Sequence, residues 1–396
     1  MMRTVEEHQL VVAGLIKARA PQDVPLNDTL GLVLAADVVA PLSLPGFDNS
    51  AMDGYAVVAD DVASASEETP VRLPVAEDIP AGRTDLLTLQ PGTAHRIMTG
   101  APLPSGATAV VPVEATDGAT DTVSIRAAAR DGQHIRRAGE DVTAGTTVLR
   151  AGQVITPAAL GLAAALGLAT LPVLPRQRVM VMSTGTELVA PGAELQPGQI
   201  YESNAVMLAA AVRDAGAQAT IAPMSADDVD AFRAALAEHA RDADLIITTG
   251  GVSAGAYEVV KDSLSDQVEF VKVAMQPGMP QGAGTVNGVP IITLPGNPVS
   301  ALVSFEVFVR SPLRAAMGHT APDRPRRTAQ LTEDLTSPRG KRQFRRGVLT
   351  GDSVSSYGPP ASHHLRWLAS ANCLLEIAED VTELAAGATV PVWDLS

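Results

Sequence analysis

The sequence predicts a multidomain protein of the α/β plus β class, on three observations. From Arg178 to His319, β-branched runs alternate with helical patterns, the signature of a three-layer α/β/α domain. Between Val58 and Ile135 the chain breaks into short strands punctuated by proline and glycine, which reads as a small β domain. From Ala321 the tail is β again, with strands at Val348–Leu349, Cys373–Ile377 and Thr389–Trp393 that suit a small barrel. With 396 residues the chain exceeds what one ordinary core organises.

The elements follow in order. Thr4 and Glu7 form a capping-box pattern, and Val5, Val12, Leu15 and Ile16 give a helical apolar face that ends before Pro21. Short strands are expected at Val33–Ala35 and Val38–Ala40. Arg72–Val75, His95–Met98, Ala109–Val113 and Val123–Arg126 are the strands of the small β domain. The uncharged stretch Ala151–Pro175 invites a membrane reading. It is rich in Ala and Gly, however, and Thr156-Pro157 starts and Gly167 stops a buried helix of about ten residues, too short to span a bilayer. Next come a strand at Val179–Met182, a helix over Asn204–Ala215 capped by Ser203, and a strand at Gln218–Ala222. A helix capped by Ser225 follows, with Asp227 and Asp228 in its first turn. Then come a strand at Leu245–Ile247, a helix near Val259–Leu264 and a strand at Glu269–Val273. Val286-Asn287-Gly288-Val289 marks a hairpin, and a long apolar helix runs from Pro298 to Met317.

Composition excludes whole classes. A net charge of −15 argues against broad nucleic-acid binding, and 3% aromatic residues leave few stacking platforms. The N-terminus carries acidic residues where a signal peptide would be apolar. The single cysteine, Cys373, cannot form an intrachain disulfide, and its apolar strand marks it as inert core; a reducing cytosol is the simplest home. Arg324–Arg346 holds eight Lys/Arg against two acidic residues, a run compatible with a solvated basic face or with an anionic partner. His363-His364 does not read as a metal site, because neighbours on a strand face opposite sides.

The candidate site begins at two loops. Thr248-Thr249-Gly250-Gly251 follows one buried strand, and Pro295-Gly296-Asn297-Pro298 follows Ile291–Leu294 about fifty residues on. Glycines let backbone approach a ligand, a following helix start suits an anion, and strand carboxyl ends line the crevice of an open α/β sheet. Ser183-Thr184-Gly185-Thr186-Glu187 closes a third strand. Glu187, Asp227 and Glu258 are carboxylates near strand ends or helix starts. They read either as first-turn helix stabilisers or as ligands for Mg²⁺ shared with substrate phosphates. Asp48 and Asp53 lie in a turn-rich loop.

Six ordered motifs then carry a resemblance over nearly the whole chain: Phe47-Asp-Asn-Ser-Ala-Met-Asp-Gly-Tyr-Ala56, Ile97-Met-Thr-Gly-Ala-Pro-Leu-Pro-Ser-Gly-Ala107, Ile135-Arg-Arg-Ala-Gly-Glu-Asp141, Ser183-Thr-Gly-Thr-Glu-Leu188, Thr249-Gly-Gly-Val-Ser-Ala-Gly255 and Leu294-Pro-Gly-Asn-Pro-Val-Ser-Ala301. With them the chain resembles the molybdopterin molybdenumtransferases, the MoeA family with its gephyrin E-domain relatives.

The resemblance implies a discontinuous helical domain (1–45 and 140–175), an inserted β domain (46–139), a MogA-like α/β domain (176–320) and a C-terminal β-barrel domain (321–396). It implies a cytoplasmic homodimer that uses Mg²⁺ and stands downstream of a molybdopterin adenylyltransferase, with no nucleic-acid or membrane partner. The implied reaction inserts molybdate into adenylylated molybdopterin, releases AMP and forms the molybdenum cofactor. Catalytic positions then fall on Asp53, Thr99, Glu187, Asp227 and Glu258, with Asp227 and Glu258 as metal ligands. Substrate-binding positions fall on Gly250, Gly251, Ser253, Pro295, Gly296, Asn297, Pro298, Arg342 and Ser362, and Arg136 and Asp141 support an interdomain hinge. Two departures matter. Glu258 stands where aspartate is usual, and Gln276 and Met279 stand where many relatives carry lysines, which predicts weaker anion affinity unless Lys272, Lys341 or Arg342 compensates. Two other readings share the scaffold: an enzyme that adenylylates molybdopterin with ATP, and a non-catalytic pterin-binding paralogue.

Overall fold

Helix and strand patterning assemble one central layered unit with three attachments. The computed structural model describes residues 2–224, 228–251 and 259–396. Its central sheet has six strands in the spatial order Gln218–Ile221, Arg178–Ser183, Leu245–Thr249, Val289–Leu294, Pro280–Val286 and Val268–Lys272. The first four run parallel, and Pro280–Val286 runs antiparallel to both of its neighbours. Period-2 alternation splits each central strand between two cores. Val179, Val181, Leu245, Ile247 and Ile292 pack on one face, and Met180, Met182, Ile246 and Ile291 on the other. Helices Asn204–Asp214 and Val5–Leu15 and the Pro298 helix cover the first face; Val229–His239 and Val259–Leu264 cover the second.

Local chemistry sets the element ends. Thr4 and Glu7 close both bonds of the capping box, at 3.1 and 2.8 Å. Thr156 caps Pro157–Ala165 through the Ala159 amide. Asn287 and Gly288 both have positive φ, as the hairpin turn between Pro280–Val286 and Val289–Leu294 demands.

Two cap expectations are corrected. Ser203 occupies the cap position of Asn204–Asp214 without using its side chain; the Glu202 carboxylate instead accepts from the Ala205 amide at 2.7 Å. Asp228 is not in a first turn but is itself the cap of Val229–His239, accepting from Ala231 at 2.7 Å. Ser225 lies outside the described residues. The helix from Pro298 is continuous to Ala316, but its middle turn, Phe305–Val309, is a π-helix.

The inserted β domain is a five-stranded sheet in the order Ala109–Pro112, Gly54–Val57, Ala94–Ile97, Val71–Ile79 and Thr122–Ile125. Where the chain enters and leaves it, Asn49–Ser50 pairs with Ile135–Arg136. The ion pair at this joint is made by Asp48 and Arg137, at 2.6 Å. The discontinuous domain packs Leu32, Leu34 and Val38 against Leu149, Ile155, Ala159, Leu171 and Val173, two segments far apart in sequence. In the tail, Arg342–Thr350, Ser353–Ser356, Arg326–Leu331, Thr389–Asp394 and Cys373–Ile377 close into a five-stranded barrel.

The tail also changes two expectations. Half of its basic run is paired with carboxylates: Arg324 pairs with Glu306 and Asp214, Arg326 and Arg327 lie 3.8 Å from Glu376 and Asp394, and Arg342 binds Glu6 and Glu379. His363 and His364 stand not on a strand but in the turn before the helix Leu365–Ala369, with ring centroids 4.4 Å apart. Among the described residues, no group of three or more His, Cys, Asp or Glu could hold a metal. Cys373 is buried, and burial pushes its thiol up to about 12, as inert core requires. Among the described residues, no helix is long and apolar enough to cross a membrane.

Candidate active site

Three adjacent parallel strands end side by side, at Ser183, Thr249 and Leu294. The chain leaves Arg178–Ser183 for the strand on one side and returns to Leu245–Thr249 on the other. The Ser183 and Thr249 ends therefore flank a topological switch point, where α/β sheets bind ligands. The loops beyond these ends floor a cleft of about 1010 Å³.

The floor is knitted by neutral hydrogen bonds. The Thr184 amide donates to the Thr249 carbonyl, and the Gly250 amide to the Leu294 carbonyl. Thr249, fully buried, donates its hydroxyl to the Pro295 carbonyl at 3.0 Å. Asn204, at the first turn of its helix, donates to Thr249 Oγ1 at 3.1 Å and to the Gly296 carbonyl at 2.6 Å. Gly250 has φ of +95°, and a Cβ there would lie 2.7 Å from the Thr184 carbonyl oxygen. Its glycine serves close packing, and its amide is already engaged in the floor.

Ser183, deep in the cleft, donates to the buried Glu202 carboxylate at 2.8 Å; with Ala205 also donating, Glu202 is occupied. Glu187 is different. It lines the cleft, is exposed, and folds its carboxylate back over Gly185.

The opposite wall comes from two long-range arrivals. Met275–Gln276 leaves the α/β domain to run parallel beside Arg342–Gln343 of the barrel, so the cleft segment Met275–Pro280 is also an added barrel strand. Gln276 accepts from Gln343 at 2.8 Å, and Gln281 donates to Gly278 and Ser304, both at 2.6 Å. The other arrival is the loop Pro360–His363. Its Ser362 carbonyl accepts the Val299 amide at 3.0 Å and so ties the loop to the start of the Pro298 helix.

Against the sequence expectations, the structure gathers Glu187, Gly250, Gly251, Pro295, Gly296, Asn297, Pro298 and Ser362 around one cleft. Gln276 and Met279 line it too. Arg342 does not; it is turned into a carboxylate cluster, 2.5 Å from Glu6, 2.9 Å from Glu379 and 3.4 Å from Glu376. Those carboxylates outcompete the cleft for its charge, and the barrel cation on the cleft is its neighbour Lys341. Asp227, Ser253 and Glu258 lie outside the described residues, so the pair expected to hold Mg²⁺ is not placed; among the described residues Glu187 is the uncommitted cleft carboxylate.

Asp53 and Thr99 are not in the cleft lining. They meet each other on the inserted domain, where Thr99 donates its amide (2.6 Å) and hydroxyl (2.7 Å) to Asp53. These bonds hold the Asp53 carboxyl below the ordinary carboxylate range, so it is ionised at neutral pH. Asn204 and His363 escaped the sequence reading as site residues, whereas Lys341, named there as a compensating cation, does line the cleft. Asn204 carried a signal, a polar side chain at the start of a helix that follows a strand end; His363 is brought by the tail.

Three comparisons with known proteins agree on what this architecture is. The sequence matches the MoeA N-terminal region (domain I and II) over residues 3–167, a probable molybdopterin binding domain over 180–315, and the MoeA C-terminal region (domain IV) over 328–395. It is 69% identical to molybdopterin molybdenumtransferase 2 of Mycobacterium tuberculosis, with both chains covered fully. It is 38% identical to molybdopterin molybdenumtransferase 1 of that organism, over 99% of this chain and 98% of the other. The crystal structure of a molybdopterin biosynthesis MoeA protein from Pyrococcus horikosii superposes with a TM-score of 0.82 at 30% identity, covering both chains fully. With a parallel-sheet cleft walled by a barrel and a β domain carried apart from it, each stretch matching its counterpart in order, the chain belongs to the MoeA family.

Proposed function

We propose that this protein is a molybdopterin molybdenumtransferase: it inserts molybdate into adenylylated molybdopterin, with release of AMP, and so forms the molybdenum cofactor. The observation that carries the reading is the convergence of the Thr184–Glu187, Gly250–Gly251 and Pro295–Pro298 loops on a single cleft of about 1010 Å³, ample for a pterin bearing a nucleotide. The names of the full-length relatives support it.

In this reading the strand-end loops seat the phosphates, with Pro298 and the following turn presenting a helix start. Lys341 supplies positive charge from the barrel side. Glu187 orients molybdate or water, and Asp53, held ionised by Thr99, accepts a hydrogen bond or a proton in the same role. Asp227 and Glu258 would hold Mg²⁺, which supplies charge neutralisation for the departing phosphate. Asp53 and Thr99 reach a cleft by way of a second copy of the chain, which makes the working unit a homodimer. The absence of both residues from the cleft lining of their own chain supports that arrangement. A cytosolic setting and an upstream adenylyltransferase complete the proposal.

The test is to load the full chain with adenylylated molybdopterin, add molybdate, and measure AMP and bound metal together. The expected result is molybdate-dependent AMP release that Asp227→Ala abolishes with the fold intact. Unchanged turnover in that variant sinks the assignment.

A further inference from the structure

Helix Asn204–Asp214 is held at its two ends by different parts of the molecule. At the cleft end, Asn204 Nδ2 donates to Thr249 Oγ1 at 3.1 Å and to the Gly296 carbonyl at 2.6 Å, so one amide joins two floor loops. At the far end, four arginines close on three consecutive residues. Arg310 and Arg324 bind the Asp214 carboxylate at 2.6 and 2.9 Å, Arg314 donates to the Ala215 carbonyl at 3.3 Å, and Arg176 donates to the Gly216 carbonyl at 2.7 Å. Guanidinium groups at a helix C-terminus satisfy free carbonyls and suit the dipole, and that alone is ordinary capping. Capping does not require the places these arginines come from. Arg176 follows the strand Thr170–Leu174 of the discontinuous domain, and its other terminal nitrogen donates to the Leu30 carbonyl of that domain at 3.1 Å. Arg324 lies on the connection into the barrel, just before the strand Arg326–Leu331. Three parts of the chain therefore meet at one helix end. Between the ends the helix is a rod of 11 residues, about 16 Å long. Ala205, Leu208, Ala209 and Val212 bury one side of it in the main core. A helix packed along its length yields by sliding rather than by bending, so a shift at Asp214 arrives at Asn204.

We propose that Arg176 and Asp214 are positioning residues acting through this helix, a strut that couples the placement of the discontinuous domain and the barrel to the spacing of the two floor loops. The inserted β domain, with Asp53 and Thr99, is carried by the discontinuous domain, so the placement of that arm registers at the cleft floor of its own chain. The coupling stands on the geometry; its effect on turnover rests on the reading of the cleft as the site of AMP release.

The experiment is hydrogen exchange on the full chain, read at the Thr184 and Gly250 amides that knit the floor, with the barrel strand Cys373–Ile377 as the reference for global opening. Arg176→Met removes both of its bonds and should speed floor exchange about tenfold, with the reference strand within about twofold of wild type. Asp214→Asn keeps the shape, drops the charge, and should act in the same direction. Arg213→Gln removes a charge from the same last turn, but its partner is the Ala219 carbonyl of the neighbouring sheet strand, and it should leave the floor within about twofold. Asn204→Ala disconnects the strut from the floor, so Arg176→Met added to it should change floor exchange no further. Distant sites without a shared partner otherwise add, and multiplied effects in the double variant overturn the coupling. A wild-type floor rate in Arg176→Met overturns it too, as does an equal rise in the reference strand, which is loss of stability alone. Should Arg176→Met fail to fold, Arg176→Lys decides: an ammonium lacks the fork that spans two carbonyls, floor exchange faster than wild type is expected, and a wild-type rate overturns the proposal. In the AMP-release assay, Arg176→Met should lower kcat about fivefold with KM within about twofold, because the loops are misplaced rather than lost; an unchanged kcat overturns the role in turnover. If wild type releases no AMP, the functional reading fails, while exchange still decides the coupling.

Discussion

The floor and the wall of the cleft are built by opposite means. The floor is three neighbouring strand ends joined by neutral hydrogen bonds and a glycine that permits close packing, all within one sheet. The wall is brought from the barrel and held by a buried cation on backbone carbonyls and by a two-residue ladder between domains. The floor is therefore fixed by local geometry, whereas the wall depends on how the barrel docks. Substitutions should separate the two: floor changes should act on ligand geometry, wall changes on affinity and loop motion.

The largest effect is expected where floor and wall are joined. Glu306, on the π turn of the Pro298 helix, has a side chain only 4% exposed and faces Arg324 at 3.0 Å and Arg310 at 3.9 Å. Arg310 and Arg324 also share Asp214. Glu306→Gln leaves two half-buried to buried guanidinium groups with one exposed carboxylate. It should cost about 3–5 kcal/mol of stability, read from urea unfolding. A loss under about 1 kcal/mol would show that the joint is not ionic in substance.

A second loss, remote from the cleft, is set by pH. His8 is fully buried on the N-terminal helix, stacks edge-on against Phe308, and has no hydrogen-bond partner on either ring nitrogen. Burial lowers its pKa from 6.5 to about 4, with the Arg3 charge adding to the effect. The folded pKa lies below the unfolded one, so the unfolded chain binds the extra proton between these values. Stability should therefore be full above about pH 6.5 and fall by about 3 kcal/mol on acidification to about pH 4. His8→Met should flatten that part of the profile; an unchanged slope assigns the acid sensitivity elsewhere.

The same division explains what could be read from sequence. The floor was legible because each part is a local signal: β-branched residues ending in Thr249-Gly250-Gly251, then Leu294 ending in a proline–glycine turn. The closed hairpin at Asn287-Gly288 and the caps at Thr4 and Thr156 were legible for the same reason. The wall was not. Nothing near Arg342 announces that Glu6, over three hundred residues away, claims its charge, and of the three cations offered as compensation only packing picks out Lys341 as the one on the cleft. Strand Pro280–Val286 was also hidden, because glycines weaken a strand signal. Gly282 is needed there since a Cβ would run into the Thr293 side chain and the Phe270 ring. The cap at Asp228 was misplaced by a few residues, since Ser and Asp are both good caps and only tertiary packing chooses between them.

Within the floor, two glycines should behave differently. Gly250→Ala puts a Cβ 2.7 Å from a backbone oxygen at positive φ and should cost about 1–3 kcal/mol, with a larger loss of turnover. At Gly296 the nearest atom to a new Cβ is Gly250 Cα at 3.4 Å, so Gly296→Ala should be tolerated to within about 1 kcal/mol. Equal effects in thermal unfolding would mean that the floor yields as a unit.

The last substitution, at Asn204, separates floor from wall most cleanly. One amide nitrogen bridges Thr249 Oγ1 and the Gly296 carbonyl, so it sets the spacing of the two loops that the ligand must touch. Asn204→Ala removes both bonds and should cost about 1–2 kcal/mol, because the freed carbonyl borders the cleft and can bind water. The loops would then drift relative to one another, and turnover should fall more than AMP affinity. Val299 is held by Ser362 from the opposite side, so its amide exchange should stay at the wild-type rate. Faster exchange at Val299 in Asn204→Ala would show that floor and wall move together, and the distinction between them would fail.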